Sequence, residues 1–468
     1  DSRDLALYGQ EDNGGTWSIC KMNMILHGIH SADIRQGDTI ADPQHIGKGG
    51  ELKRFDQVIA NPPFSQNYSQ TDMKFKDRFH TFMPESGKKA DLMFVQHMVS
   101  SLKSDGRMAV VMPHGVLFRG GEEKACRKRF ITDGVLEAVI GLPAGLFYGT
   151  GIPACVLVIN KQQSADRNSV LFINADREYK EGKNQNSLRP EDIEKITHVY
   201  RNKLDVEKYA RNVPVSELEE EDFNLNIRRY VDNSPPPEPH DVRAHLNGGI
   251  PKAEVELLEG FFANYDGLKD QLFAERDETY CDFTSVIESK DSIKSNIEKA
   301  PCTQAKHAEF HQAITSWWNK HVGQIETLPD TSNVFELRRE FLGTVSTALT
   351  PQGILDVYKV RGAFADYMNT LDADFKSVAA SGWGPELIPE EDILQSQFPE
   401  VLQQIEDDQA RIAELEGLFA AANEVDEDEE SEESANGVLP KSQVKALKAE
   451  KKALAADVRE IKRTVKTM

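Results

Sequence analysis

Apolar and polar positions in the first 160 residues fall into short runs of alternating character. Asp4 to Gln10 reads as a short buried strand ending at Glu11. Thr16 to His27 reads as a helix that carries Trp17, Cys20, Met24 and His27 at helical spacing, a core-packing pattern. A strand over Ala32 to Gln36 gives way to Gly37-Asp38-Thr39-Ile40. The apolar run Phe55 to Ala60 predicts a buried strand that stops abruptly at Asn61-Pro62-Pro63-Phe64. The polar stretch that follows, to about Lys89, lacks periodicity and reads as a functional or mobile loop. Ala90 to Lys103 is an amphipathic helix ended by Ser104-Asp105-Gly106, and Arg107 to Met112 a strand closed by Pro113-His114-Gly115. Gly121 to Thr132 is helical, Val135 to Leu142 a strand, and the glycine-rich Pro143 to Gly151 leads into a strand over Ala154 to Asn160. Strands alternating with helices predict an α/β architecture with a mostly parallel, doubly wound sheet.

The pattern changes at Asn233-Ser234-Pro235-Pro236-Pro237-Glu238-Pro239. Prolines stiffen this stretch, which marks 233–251 as a linker after a first domain over 1–232. Residues 252–396 are helical in pattern, with the aromatic pairs Phe261-Phe262 and Trp317-Trp318 read as core. Over 397–468 the heptad returns. Val401, Ile405, Ile412, Leu415 and Phe419 take core positions with Asp408 interrupting, and Val444, Leu447, Leu454, Val458, Ile461 and Val465 do so with Lys451 interrupting. The acidic run over 424–436 between them is too charged to fold by itself, so the segment reads as a coiled-coil hairpin with an acidic loop. The last helix is basic, with Lys441, Lys445, Lys448, Lys452, Arg459, Lys462, Arg463 and Lys466. By itself it reads as a solvated face pairing with the acidic loop; docking on a partner is what the family resemblance given below implies for it.

Composition narrows the function classes. A chain of 468 residues has room for two to four domains. With 39% apolar residues, no apolar run of spanning length and no secretory signal, it reads as cytoplasmic and free of any membrane. The five cysteines, Cys20, Cys126, Cys155, Cys281 and Cys302, are scattered and lack Cys-x-x-Cys spacing, which argues against a zinc site or a disulfide framework. A net charge of -22 argues against this chain gripping DNA unaided, because phosphate contacts need Lys and Arg. The one early basic cluster, Lys124, Arg127, Lys128 and Arg129, reads as a solvated face, with a phosphate contact as the sharper alternative.

The candidate chemistry centres on Asn61 to Phe64. At the carboxyl end of a strand, where open α/β sheets bind ligands, two prolines fix the backbone and present Asn61 and the Pro62 carbonyl at a set separation. Both are acceptors for an exocyclic NH₂, and Phe64 offers a stacking platform for the ring that carries it. Glu11 ends a strand where an acid can accept from a ribose diol, and Asp38 follows a glycine where a carboxylate can accept from an adenine amine. Turn and capping roles are the alternatives for both acids. Phe147 is placed either to stack on a base or to pack under its turn, and His114 reads as structural.

The blocks Leu7-Tyr8-Gly9-Gln10-Glu11, Lys21-Met22-Asn23-Met24, Asn61-Pro62-Pro63-Phe64, Pro113-His114-Gly115-Val116-Leu117-Phe118-Arg119-Gly120, Leu142 to Pro153 and Asp222 to Tyr230 occur in order. Together they resemble the modification subunit of type I restriction-modification systems, a family of S-adenosylmethionine-dependent DNA adenine-N6 methyltransferases. The resemblance covers roughly Asp1 to Asp232. It implies a Rossmann-like methyltransferase sheet followed by a mostly helical C-terminal region. It assigns Glu11 to the ribose hydroxyls, Asp38 to the adenine amine, and Asn61 with Pro62 and Pro63 to the target amine beside the cofactor. Phe64, with Phe147 as a second candidate, would stack on a flipped base. No metal is implied. The implied partners are a specificity subunit, a second modification subunit, a restriction subunit and double-stranded DNA. The family's first strand and glycine-rich loop do not precede Glu11 here, and the sequence opens on Asp1. The expectation is therefore a fragment that binds the cofactor poorly and is inactive alone. The alternatives are an assembly scaffold without catalysis, or a methyltransferase acting on protein glutamine or RNA.

Overall fold

The computed structural model describes residues 5–148, 151–234, 240–384, 387–388, 390–397, 399–424 and 441–465. Pro235, Pro236, Pro237 and Pro239 and nearly all of the acidic run lie outside these, as do Asp4 and Lys466. The chain forms two compact units: Asp1–Gly323 with Phe335–Thr370, and Gln324–Val334 with Leu371–Met468.

The first unit opens with β1 (Tyr8–Glu11), α1 (Gly14–Leu26) and β2 (Asp33–Gln36). β1 and β2 form a two-stranded parallel ladder, with Glu11 opposite Gln36. The Asn13 side chain caps α1 by accepting from Thr16 N at 3.0 Å. Trp17, Cys20 and Met24 lie half-buried, and the Trp17 indole donates to Ile34 O at 2.9 Å. His27, expected in the same core stripe, is exposed at the end of the helix, as are Ile19, Met22, Ile25 and Leu26 on its other face.

The main sheet holds β3 (Phe55–Ala60), β4 (Leu102–Pro113), β5 (Leu136–Gly141), β6 (Ala154–Asn160), β7 (Ser169–Asn174) and β8 (Ala210–Pro214) in the order β3-β4-β6-β5-β7-β8. α2 (Asp91–Ser100) precedes β4, α3 (Glu122–Thr132) precedes β5, and α4 (Pro190–Asn202) precedes β8. The α/β class stands, but the pairing is mixed rather than mostly parallel. β3 and β4 run parallel, as do β5 and β7, while β6 is antiparallel to both of its neighbours and β8 to β7. The cause is the link from β5 to β6, which has no described helix. A parallel return needs a long crossover, whereas a direct loop sends the chain back antiparallel.

Two local expectations also change. α2 stops at Ser100 because Leu102 already pairs with Phe55, and the ladder then jumps to Arg107 opposite Gln57, so 103–106 bulge outward. β3 is an edge strand instead of a buried one: among the described residues it pairs with β4 alone, and Ile59 is 83% exposed. The core lies under β4 and β6, where Met108, Val110, Met112, Leu157 and Ile159 pack on Leu92, Met93 and Val95 of α2.

From the last two residues of the expected linker onward, the helical pattern is broken by a small antiparallel sheet of β9 (Ile250–Pro251), β10 (Phe273–Glu275) and β11 (Tyr280–Phe283). Its strands are too short for a period to register. α5 (Pro301–His321), α6 (Val334–Leu349) and α7 (Val357–Thr370) follow. α7 lies on α4: Arg361 donates to Glu194 Oε2 through Nε at 3.2 Å and Nη2 at 3.1 Å, both side chains being largely buried. Gly362 permits the approach, since a Cβ there would come within 2.3 Å of Glu191 Cα. In the second unit, α8 (Pro399–Glu424) and α9 (Lys441–Val465) pair as a hairpin. Leu415 and Val458 are buried, and Arg411–Glu450 at 3.0 Å and Lys451–Glu416 at 2.9 Å join the helices. The Lys451 that interrupts the heptad is thus used for pairing.

All five cysteines are free thiols. Cys126 and Cys155 are fully buried, and burial pushes both thiols up, away from the reactive thiolate. Thiol titration of the native chain is expected to register Cys20, Cys281 and Cys302 quickly and the other two only on unfolding. Fast modification of all five would contradict the packing around β6 and α3.

Candidate active site

A cavity of about 570 Å³ lies at the carboxyl ends of β1 and β3. Glu11, Asp38, Asn61, Pro62 and Pro63 all line it, so five sequence candidates from three separate segments meet around one space. Gly9, Tyr8, His45 and Phe55 form part of the wall, with His97 and Phe94 of α2. Asn61 is exposed, and its carboxamide has no hydrogen-bond partner among the described residues, while Pro62 is buried as the anchor of the loop. Phe64 leaves the cavity wall and faces Phe147 edge-on, with ring centroids 6.4 Å apart and planes at 71°.

The two acids serve local turns and still keep an oxygen free. Glu11 Oε1 accepts from Asn13 N at 2.8 Å, and Asp38 Oδ1 accepts from Ile40 N at 2.7 Å and Ala41 N at 3.0 Å. Glu11 Oε2 and Asp38 Oδ2 have no hydrogen bond among the described residues. Two carboxylate oxygens with acceptor capacity on one cavity wall suit a ligand rich in hydroxyl and amine donors. Gln10 fixes the turn between them by donating to Gly37 O at 3.1 Å and Asp42 O at 2.8 Å and accepting from Gln44 N at 2.8 Å.

Sequence reasoning missed the supports. Arg78, 6% exposed, donates to Thr39 O at 3.0 Å and to Ile40 O, and lies 2.6 Å from His97 Nδ1. It ties the Asp38 turn to α2 from inside a loop that carried no periodic signal. On the other side, Asn186 Nδ2 donates to Ala144 O at 2.9 Å and Gln185 Nε2 to Leu146 O at 2.6 Å, which staple the turn that carries Phe147. Gly145 at φ 70° makes that turn possible.

The basic cluster on α3 is a solvated face only in part: Lys128 and Arg129 are exposed, Lys124 is half-buried and Arg127 is buried. Arg127, 3% exposed, donates to Phe223 O at 3.2 Å and Val116 O at 2.9 Å. Lys124 pairs with Asp222 at 2.5 Å and Arg129 with Asp133 at 2.7 Å, and Lys128 lies over the Phe223 ring. His114 is half-buried outside the cavity wall, and burial pushes its imidazole below the ordinary value. Among the described residues no group of three or more metal-ligating side chains occurs, and no helix is long and apolar enough to cross a membrane.

Burial and the adjacent Arg78 charge push the His97 imidazole down to about 3, so it is neutral in the folded protein at pH 7. Unfolded, it would take a proton below about pH 6.5. Between these limits the unfolded chain binds more protons, and stability falls as pH falls, by up to about 1.4 kcal/mol per pH unit from this group. Urea unfolding at pH 7 and pH 5 is expected to show His97→Asn, which keeps an acceptor for Arg78, losing less stability than the parent. Parallel losses would remove His97 as the cause.

The N-6 DNA Methylase family model matches residues 1–238. The type I restriction enzyme MjaVIII methylase subunit of Methanocaldococcus jannaschii is 37% identical over 273 residues, 55% of this chain and 46% of its own length. The MpnII methylase subunit of Mycoplasma pneumoniae is 33% identical over 258 residues, 53% of this chain and 47% of that one. The chain thus spans about half the length of the curated relatives it matches. A crystal structure of the type I restriction-modification methyltransferase subunit from Streptococcus thermophilus shares 39% identity over 49% of this chain and 48% of that one, at a TM-score of 0.46. The family match spans the acids, the Asn61 loop and the Phe147 turn and takes in half of the sequence, and on that ground this protein belongs to the N-6 DNA methylase family.

Proposed function

We propose that this chain is the modification subunit of a type I restriction-modification complex and methylates adenine N6 in DNA from S-adenosylmethionine. The observation that carries the reading is the meeting of Glu11, Asp38 and the Asn61-Pro62-Pro63 loop around one cavity. The free acceptor oxygens fit an adenosine: Glu11 would hold the ribose hydroxyls and Asp38 the adenine amine. S-adenosylmethionine, when bound, supplies a methyl group already activated on a sulfonium.

The chain's own residues handle the other reactant. Adenine N6 is out of reach inside a duplex, so the base swings out and stacks on Phe64, with Phe147 across from it. The Asn61 side-chain oxygen and the Pro62 carbonyl accept the two amine hydrogens, which turns the nitrogen lone pair out of the ring system. Alignment and this polarisation make up most of the catalysis, without a strong base. With a net charge of -22 and Arg127 of its early basic cluster buried, the chain leaves sequence reading and much of the DNA grip to a specificity subunit. A second modification subunit and a restriction subunit complete the assembly in the cytoplasm. The catalytic domain is assigned to 1–232, the linker to 233–251, the helical region to 252–396, and the docking hairpin to 397–468.

The test is transfer of labelled methyl to DNA by the complex of this subunit with its specificity subunit, with the modified base identified by mass spectrometry. N6-methyladenine at one bipartite site is the expected product. An assembled complex that labels protein or RNA, or labels nothing, would overturn the proposal in favour of the glutamine, RNA or scaffold reading respectively.

A further inference from the structure

A chain of part-buried polar contacts runs from the Pro113 to Gly120 block to the loop that carries Phe64. Ser65, the next residue, holds φ at 56°, in the left-handed region that a residue with a side chain seldom adopts. Its N–H donates to Asp91 Oδ1 at 2.8 Å. Asp91 is the first residue of α2 and 1% exposed. Its other oxygen lies 3.5 Å from Arg119 Nη1 and makes no hydrogen bond. Arg119 Nη1 also donates to Glu123 Oε1 at 3.2 Å, and Glu123 is 2% exposed in the first turn of α3. The guanidinium lies over Gly115, where a Cβ would come within 2.3 Å of Nη2. One step further, Ala90 N donates to Gln66 O at 3.0 Å, so the stem of the loop is held at two successive residues.

We infer that Asp91, held by Arg119 over Gly115, is a positioning residue that locks Ser65 in its left-handed turn and so sets the Asn61 to Phe64 loop in the conformation that receives the target base. The inference rests on the reading of that loop as the amine clamp. A left-handed Ser65 is unfavourable by itself, and a hydrogen bond to a buried carboxylate is among the few local contacts strong enough to hold it. Asp91 has this strength only while a cation balances it, because a lone buried charge is expensive. Arg119 supplies the cation, and Gly115 supplies the space for Arg119. The Pro113 to Gly120 block, set apart in the sequence without a chemical role, is thereby given one at a distance from the reacting atoms.

Two readouts test this. Hydrogen exchange on the chain itself follows a peptide covering 61–68: Asp91→Ala is expected to speed exchange at Ser65 at least tenfold, with Gly115→Ala giving a smaller rise and the β4 peptides unchanged. In the complex with the specificity subunit, Asp91→Ala is expected to lower kcat about 10²-fold, the scale of a misplacement near 1 Å, with KM for S-adenosylmethionine within threefold. Asp91→Asn retains an acceptor for Ser65 and is expected to recover kcat to within about fivefold of the parent, together with the fluorescence rise of 2-aminopurine at the target position. A loop that loosens without loss of kcat, or Asn and Ala variants equally impaired, would overturn the positioning role. Unchanged exchange at Ser65 would overturn the contact itself. If the parent complex transfers no methyl at all, the proposed function fails separately, and the exchange experiment still decides whether Asp91 holds the loop.

Discussion

Asn61→Ala is expected to reduce methyl transfer by the assembled complex about 10²- to 10³-fold, the loss seen when a preorganised polar group is removed from a reacting centre. Its thermal midpoint should barely move. The carboxamide is exposed and makes no hydrogen bond among the described residues, so nothing in the fold depends on it, and surface changes of this kind usually lie within about 0.5 kcal/mol. The pairing of a large catalytic loss with intact stability is the discriminating result. DNA binding by the complex should persist, because Asn61 carries no charge to pair with phosphate. Activity within tenfold of the parent would mean that the amine is not held by Asn61, and the reading of the loop would fall with it.

Gly362→Ala is expected to destabilise the first unit by about 3 kcal/mol, measured by urea unfolding. The added Cβ would meet backbone, at 2.3 Å from Glu191 Cα and 2.5 Å from its N, and backbone at the start of a helix does not move aside as a side-chain tip does. α7 must therefore lift from α4, and the Arg361–Glu194 pair, largely buried on both sides, opens with it. Gly343→Ala on α6 is the matched control. A Cβ there meets nothing within 4 Å, so the substitution should be neutral or stabilising by up to about 1 kcal/mol through helix propensity. Equal behaviour of the two variants would mean that α7 does not approach α4 this closely.

Much of the site was legible because its chemistry is written in residue types. Asn-Pro-Pro-Phe after an apolar run offers both an acceptor and a rigid backbone, whereas Glu11 and Asp38 read equally well as turn residues, a role the structure shows both to fill beside the cavity. The strands up to Asn160 were legible from their apolar runs, whereas β7 and β8 were not foreseen, and the strand directions were not legible either: burial on two faces looks the same in β6 whichever way it runs, and only the lack of a crossover helix told against a parallel return. β3 was misjudged because an apolar run does not reveal whether a neighbour exists on both sides. The supports were harder still. Asp91 resembles any acid in the first turn of a helix, and nothing local says that its carboxylate reaches back 26 residues to Ser65. Arg127 sat in a run of basic residues that looked like a solvated face, and its burial depends on the carbonyls of Val116, 11 residues away, and Phe223, 96 residues away. The short strands of 250–283 lie below the length at which a two-residue period can be told from chance.

The order of strands in the main sheet also bears on how the protein comes into being. β4 is paired with β3 on one side and β6 on the other, and both ladders join residues about fifty positions apart in the chain, such as Val58 with Met108 and Arg107 with Asn160. Neither ladder can form until a long loop has closed, so the sheet is a late and slow product compared with the helices on its faces. During that interval the long apolar strand β4 is without partners, and the nascent chain is at its most prone to stick to its neighbours. Asn61 stands at the end of β3, which among the described residues pairs with β4 alone, so its placement waits on that ladder. Yield of active subunit should accordingly respond to synthesis rate, temperature and chaperone supply well before any change in the finished fold is seen.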